Sequence, residues 1–247
     1  MIKRLFRLSV VSAILGLAFA ATASAQDFEK SYRISAGGQV SVSNISGDVV
    51  VTGYDGDAII VRGIKKGRDS DRVEIEDKSS AGRVDVGVRY PKECNCDASV
   101  RFEVRVPRSV SYNFDGFSSV SGDVDVSGVT GRLRASAVSG DVRVKNVSGS
   151  ANVNSVSGDV EVEVDRLDGS DDMKFASVSG DVVVKMPSNL DADVDISSLS
   201  GSIKTDFPIE VREEKHGPRT YARGRLGSGS RRINMSSVSG DLSLNRF

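Results

Sequence analysis

The stretch VSGDVRVKNVSGSANVNSVSGDVEV, residues 138–162, nearly repeats after nine residues and repeats more closely after eighteen. Internal periodicity outranks local propensity when a fold class is being decided. Aligned on the apolar residue that precedes Ser-Gly or Thr-Gly, units begin at Val120, Val129, Val138, Val147 and Val156. Each then carries apolar residues at its fifth and seventh places, as in Val124/Val126, Leu133/Ala135, Val142/Val144, Ala151/Val153 and Val160/Val162.

Alternation over a short β-branched run marks a strand with one buried face, and Ser-Gly-Asp is turn chemistry. Nine residues therefore make one strand and one corner. The closer match at eighteen makes two strands one coil, stacked on the next at about 4.8 Å. The expected fold is all-β: a single-stranded, β-helix-like solenoid of nine-residue strand-turn units, about two per coil.

Working outward, Leu167 opens a unit lengthened to LDGSDDMKF, and Val178, Leu199 and Val238 open VSGDVVV, LSGSIKT and a closing VSGDLSL. ISGDVVV from Ile45 and YDGDAII from Tyr54 stand nine apart near the N-terminus. VEIEDKSSAGRVDVGVRYP and SVRFEVRVP alternate without the Gly corner, so β-structure is expected throughout, with no helix after the leader. Residues 26–110 form the less regular part and 111–247 the regular one, with a polar loop near 205–232.

The chain opens MIKRLFRLSVVSAILGLAFAATASAQ: three basic residues, an apolar run and Ala-Ser-Ala. Residues 1–25 read as a secretory signal peptide cut near Ala25/Gln26, because the run falls short of the roughly 20 apolar residues a span needs. The mature chain is expected to be periplasmic or secreted, without a transmembrane anchor. Losing Lys3, Arg4 and Arg7 leaves 30 basic against 34 acidic residues, a charge of −4, which offers nucleic acid no attraction. With no Trp, nine Phe and 25 Gly, a thin core of Val, Ile, Leu and Ala is expected.

Asp123, Asp141, Asp159 and Asp181 open successive strands on one edge. Such an edge could hold Ca²⁺. The calcium nonapeptide, however, is G-G-x-G-x-D-x-U-x, and here each Asp can instead cap its own turn through a local hydrogen bond. Asp125, Arg143 and Glu161 share one outward column, and Lys145, Glu163 and Lys185 the next, so opposite charges meet on adjacent strands.

Catalysis needs a nucleophile, a base and an orienting group that converge. The single His, His216, sits among Glu213, Glu214, Lys215 and Arg219 and reads as a solvated loop residue. No enzyme and no cofactor are expected, although a groove-bound carboxylate pair acting on a glycan remains the third reading. The interruption EVREEKHGPRTYARGRLGSGSRR carries Arg212, Lys215, Arg219, Arg223 and Arg225, a basic excess able to contact an envelope glycan or envelope protein; a solvated loop is the plainer reading. Cys94 and Cys96, in KECNCDAS, lie in an oxidising compartment and read as a local clip that needs a bend, with free or intermolecular thiols as the alternative.

The leader, ISGDVVVTGYDGD, the strand ending VRVPRSV, the tandem VSGDVxV units and the terminal GSGSRRINMSSVSGDLSL together resemble a bacterial family of unknown function known as "putative adhesins", whose repeat is called the toastrack domain. The resemblance covers nearly all of the mature chain. It implies an extracytoplasmic β-repeat scaffold, an adhesin or envelope-component binder without established enzyme activity. The alternative it implies is a structural or envelope-stress-associated module acting through a protein partner.

Overall fold

The computed structural model describes residues 28–214 and 217–247. The leader, Lys215 and His216 lie outside them. The N-terminal part contributes β1 (Phe28–Tyr32), β2 (Gln39–Ser46), β3 (Val49–Tyr54), β4 (Ile59–Lys66), β5 (Glu74–Asp77), β6 (Arg83–Arg89) and β7 (Ser99–Pro107). The central part contributes β8 (Ser111–Ser121), β9 (Val124–Ser127), β10 (Thr130–Ser139), β11 (Val142–Ser157), β12 (Val160–Arg166), β13 (Met173–Ser179) and β14 (Val182–Met186). Last come β15 (Ala192–Ser200), β16 (Ile203–Thr205), β17 (Val211–Glu213), β18 (Thr220–Leu226), β19 (Arg232–Ser239) and β20 (Leu242–Arg246). The helical content of the described residues is one 3₁₀ turn, Ser70–Arg72.

The fold is all-β and solenoidal. Val124 pairs with Val142 and Val142 with Val160, all parallel and eighteen residues apart. Leu133 pairs with Ala151 at the same step on the other side of the coil. After the longer Arg166–Met173 connection the step grows to 22 residues, Val160 pairing with Val182. Two ladders result, joined through the long strand β11. The first runs β5-β6-β2-β8-β10-β11-β13-β19-β15-β18-β17, and the second runs β1-β4-β7-β3-β9-β11-β12-β14-β20-β16.

Spatial order departs from chain order at both ends. The coil β2–β3 lies between β6–β7 and β8–β9, and the coil β19–β20 lies between β13–β14 and β15–β16. The unit that begins at Val238 is thus not the closing coil of the stack; it is one place in from the end. Antiparallel strands cover the ends: β1 on β4, β4 on β7, β5 on β6, β18 on β15 and β17 on β18. Covering an open edge removes a template for edge-to-edge pairing.

The segment read as a polar loop near 205–232 supplies part of that cover. Its strands look polar because β17, the outermost, is exposed throughout and β18 buries only Ala222 and Leu226. Ala222 and Leu226 face the core with Phe207 and Ile209, while Arg223 and Arg225 point outward.

Core residues come mainly from the predicted fifth and seventh places, such as Val142, Val144, Val160, Val162, Val182 and Val184, all fully buried. Burying each Val stabilises the fold by roughly 1.5–3 kcal/mol relative to exposure. The first place of the unit, however, splits into two kinds. Val129 and Val147 are 1% and 0% exposed, whereas Val120, Val138 and Val156 are 46%, 45% and 42% exposed. Gly128 (φ 67°) and Asn146 (φ 54°) explain the split: a left-handed residue before Val129 and Val147 reverses the side-chain parity and turns them inward. The nine-residue units are therefore two alternating kinds of corner.

Candidate functional site

The Ser-Gly-Asp corner is a ladder of its own. In stacking order its glycines are Gly47, Gly122, Gly140, Gly158, Gly180, Gly240 and Gly201, the last followed by Ser202 in place of Asp. A Cβ on any of the last six would lie 2.0–2.3 Å from the carbonyl oxygen of the glycine before it. Glycine is required there by close approach of coil to coil. Ser119 donates its hydroxyl to the Gly47 carbonyl at 2.8 Å, Ser155 to Gly140 at 2.9 Å, Ser177 to Gly158 at 2.9 Å, and Ser198 to Gly240 at 2.9 Å. Ala137 occupies this place in the remaining central coil.

The aspartates also bond between coils, not within their own turns. Asp123 Oδ1 accepts the Asp141 N–H at 3.0 Å, Asp141 Oδ1 that of Asp159 at 2.9 Å, Asp159 Oδ1 that of Asp181 at 2.8 Å, and Asp181 Oδ1 that of Asp241 at 2.8 Å. The cap thus replaces the expected local hydrogen bond with one that links neighbouring coils. Among the described residues no group of three or more His, Cys, Asp or Glu is placed to hold a metal ion.

Two outer surfaces flank this corner. On the second ladder the charges pair with one another. Arg143 is Cα partner to both Asp125 and Glu161; its guanidinium lies 3.7 Å from Asp125 Oδ1 as expected, and also reaches the corner, 2.9 Å from Asp123 Oδ2 and against Asp141. Glu161 is left to Lys145 at 3.3 Å, and Glu163 takes Lys185 at 2.6 Å. Burial pushes the Asp123 carboxyl up, yet the Asp141 N–H and Arg143 outweigh it and hold it below its ordinary value. At Asp125 burial prevails, aided by Asp123 and Asp48 against the pull of Arg143, and the carboxyl titrates above its ordinary value.

The outer surface of the first ladder differs. Ile45, Val120, Val138, Val156, Val178, Val238 and Leu199 form one column across seven coils, each 42–49% exposed. Beside it runs a groove of about 680 Å³ whose floor includes Ser43, Ser118, Ser136 and Asn154. A second hollow of about 420 Å³, with Val156, Val178 and Val238 in its wall, continues it through Asn152 and Asn154. A β-bulge sits in the groove: Asp115 and Gly116 together oppose Arg134, because Phe114 pairs with Leu133 and Phe117 with Ala135. Arg134 Nη1 reaches Asp115 Oδ1 at 3.2 Å, and Arg132 Nε reaches Asp171 Oδ2 at 2.7 Å from the lengthened loop.

The basic residues singled out from the sequence do not converge. Arg212 pairs with Glu210 at 2.7 Å and Arg223 with Asp195 at 3.0 Å. Arg225 makes two bonds to Asp193, at 2.6 and 3.1 Å, and holds that carboxyl below its ordinary value. Arg219 is exposed, and Lys215 is outside the described residues. Carboxylates on β15 thus cancel the charge that made β18 look like a basic patch. Cys94 and Cys96 are joined, with Cα atoms 5.1 Å apart, next to Glu93 at φ 58°, on the long connection from β6 to β7.

The aliphatic column and the groove escaped the sequence reading. Strand parity carries the signal for the column: Ala151, Val153 and Ser155 point inward, so Val156 must point out.

A stack of two-strand coils with a repeated Ser-Gly-Asp corner defines a β-solenoid, its ends covered by antiparallel strands except at β16. The family described as Toastrack DUF4097 matches residues 33–245, and the chain belongs to that family. No curated protein matches it. Solved structures that match the chain include a putative cell adhesion protein from Clostridium sporogenes, 12% identical, covering 90% of this chain and 100% of that one at a TM-score of 0.48. A putative adhesin from Bacteroides fragilis is 14% identical, with 91% and 98% covered at 0.42. A putative lipid binding protein from Parabacteroides distasonis is 11% identical, with 90% and 97% covered at 0.32. Those names describe those proteins. Among the described residues no helix is long and apolar enough to cross a membrane.

Proposed function

We propose that the chain is a non-enzymatic, extracytoplasmic β-repeat scaffold that holds an envelope component on the outer surface of its first ladder. One observation carries this reading. Seven aliphatic side chains from Ile45 to Leu199 stand in an unbroken exposed column beside the groove, whereas the opposite surface consumes its own charges in ion pairs. A contiguous exposed apolar patch rimmed by polar groups marks an interaction surface. The leader composition supports the extracytoplasmic assignment. Asp115 in the groove and Asp171 at its continuation are each ion-paired with an arginine, Arg134 and Arg132.

Retention of the mature protein on fractionated cell envelope tests the reading. Val138→Asp and Val156→Asp, at exposed positions, should abolish retention with little change in melting temperature. Glu161→Gln and Lys185→Gln on the opposite surface should leave it intact. Equal retention of all four variants would overturn the assignment.

A further inference from the structure

We infer that the groove of the first ladder binds a neutral, hydroxyl-rich glycan chain, an inference that rests on the scaffold reading above and names its ligand class. The first support is charge. Four cationic and four anionic side chains line the groove and its continuations. Six of them are already matched: Arg83 with Asp85 at 3.2 Å, Arg134 with Asp115 at 3.2 Å, and Arg132 with Asp171 at 2.7 Å. A polyanion would have to displace those carboxylates or bind beside them. Lys174 is the one lining cation without an ion-pair partner among the described residues, too little to recruit a polyanion.

The second support is hydrogen-bonding chemistry. Arginine–carboxylate pairs offer fixed donors beside acceptors, and amides and hydroxyls offer both, which suits adjacent hydroxyl groups that themselves donate and accept. Ser118, Ser136 and Asn154 present such groups at consecutive coils along the floor. The aliphatic wall at Val156, Val178 and Val238 adds a surface for the C–H face of a sugar ring.

The third support is Gly116. Glycine inside a strand costs about 0.5–1 kcal/mol relative to Ala. Close coil contact accounts for the corner glycines, but a Cβ on Gly116 would meet nothing within 4 Å, and its φ is not in the left-handed region. No crowding and no turn requires glycine there. Two accounts remain, the bulge itself and close approach by a ligand over it, and only the second makes binding depend on the space above Gly116.

Gly116→Trp supplies the test, since its Cβ meets no atom within 4 Å and its ring would occupy the groove. Binding of the full mature chain would be measured against the neutral polysaccharides dextran, mannan and xylan, and against the polyanions polygalacturonate and dextran sulfate. The expected result is binding to at least one neutral polysaccharide, with little dependence on salt and a loss of at least about tenfold in Gly116→Trp at unchanged melting temperature. Gly116→Ala, which adds only a methyl group, should keep most of the affinity. Binding confined to polyanions, or neutral binding indifferent to Gly116→Trp, would overturn the inference. Failure of every neutral polysaccharide while envelope retention persists would overturn the glycan class and leave the scaffold reading standing. Loss of envelope retention as well would overturn both.

Discussion

The two corners of each coil obey different rules. The Ser-Gly-Asp corner always spends two residues between strands, from Gly47-Asp48 to Gly240-Asp241, and is bonded to its neighbours through main chain, serine hydroxyl and carboxylate. The opposite corner takes every length, from the continuous bend of β11 at Asn146 to the Arg166–Met173 and Thr205–Val211 connections. Register and stability are concentrated in the first corner. Apart from the Arg89–Ser99 connection of the β6–β7 coil, which carries the disulfide, variation falls at the second, which supplies Asp171 to the groove and the β17–β18 cover to the end of the stack.

Substituting one glycine at each corner gives the sharpest challenge to this contrast. Gly158→Ala would place a Cβ 2.1 Å from the Gly140 carbonyl oxygen, and should cost about 3 kcal/mol or more in urea denaturation. Gly169→Ala, at φ 74° with open space around it, should cost about 1 kcal/mol. Similar costs would mean that the ordered corner is not specially constrained.

Charge reversal comes next. Arg143 straps Asp123 and Asp141 at the ordered corner, whereas Arg134 meets Asp115 in the groove. Arg143→Glu should lower stability by about 1–2 kcal/mol, and Arg134→Glu by less than about 1. Equal shifts in melting temperature would count against the eighteen-residue stacking of the corner.

The hydroxyl rung is a smaller effect with a built-in control. Ser155→Ala should cost about 1 kcal/mol by removing the donor to the Gly140 carbonyl. Ala137→Ser, at the central coil whose sequence lacks the hydroxyl, should gain about 0.5–1 kcal/mol; a loss there would show that the rung is not transferable.

The smallest expected effect is pH-dependent. Because the Asp125 carboxyl titrates above its unfolded value, its ionisation disfavours the fold as pH rises from the unfolded pKa, near 4, through the folded one. Asp125→Asn should therefore raise the melting temperature at pH 7 and leave it nearly unchanged at pH 3. Asp123 works the other way. Its depressed carboxyl contributes stability that is present above about pH 4 and lost as pH falls through its folded pKa, so Asp123→Asn should destabilise at pH 7.

Period, parity and the all-β class were legible because each follows from which residues can face a narrow core. Stacking order was not, because every Ser-Gly-Asp corner is chemically interchangeable: Gly240 fits on Gly180 as well as Gly158 does on Gly140. Which coil lands on which is set by connections and end strands, and those are long-range. The groove stayed hidden for a related reason. Its floor is made of the serines and asparagines that fill outward positions, and one extra residue at Asp115–Gly116 is easily lost in a nine-residue rhythm. The pairing of the basic segment was hidden because Arg223 and Arg225 find Asp195 and Asp193 only once β18 lies antiparallel on β15.

The placement of β19–β20 inside the stack also sets a timetable. Residues 232–247 are made after those of the coil that ends up outside them, so the slot between β13–β14 and β15–β16 stays vacant until they arrive. A chain interrupted before Arg232 would carry two facing unpaired strand edges on each ladder, a state open to pairing with other chains and to proteolysis. Residues 232–247 thus work as a keystone, bridging two coils that the rest of the chain leaves apart.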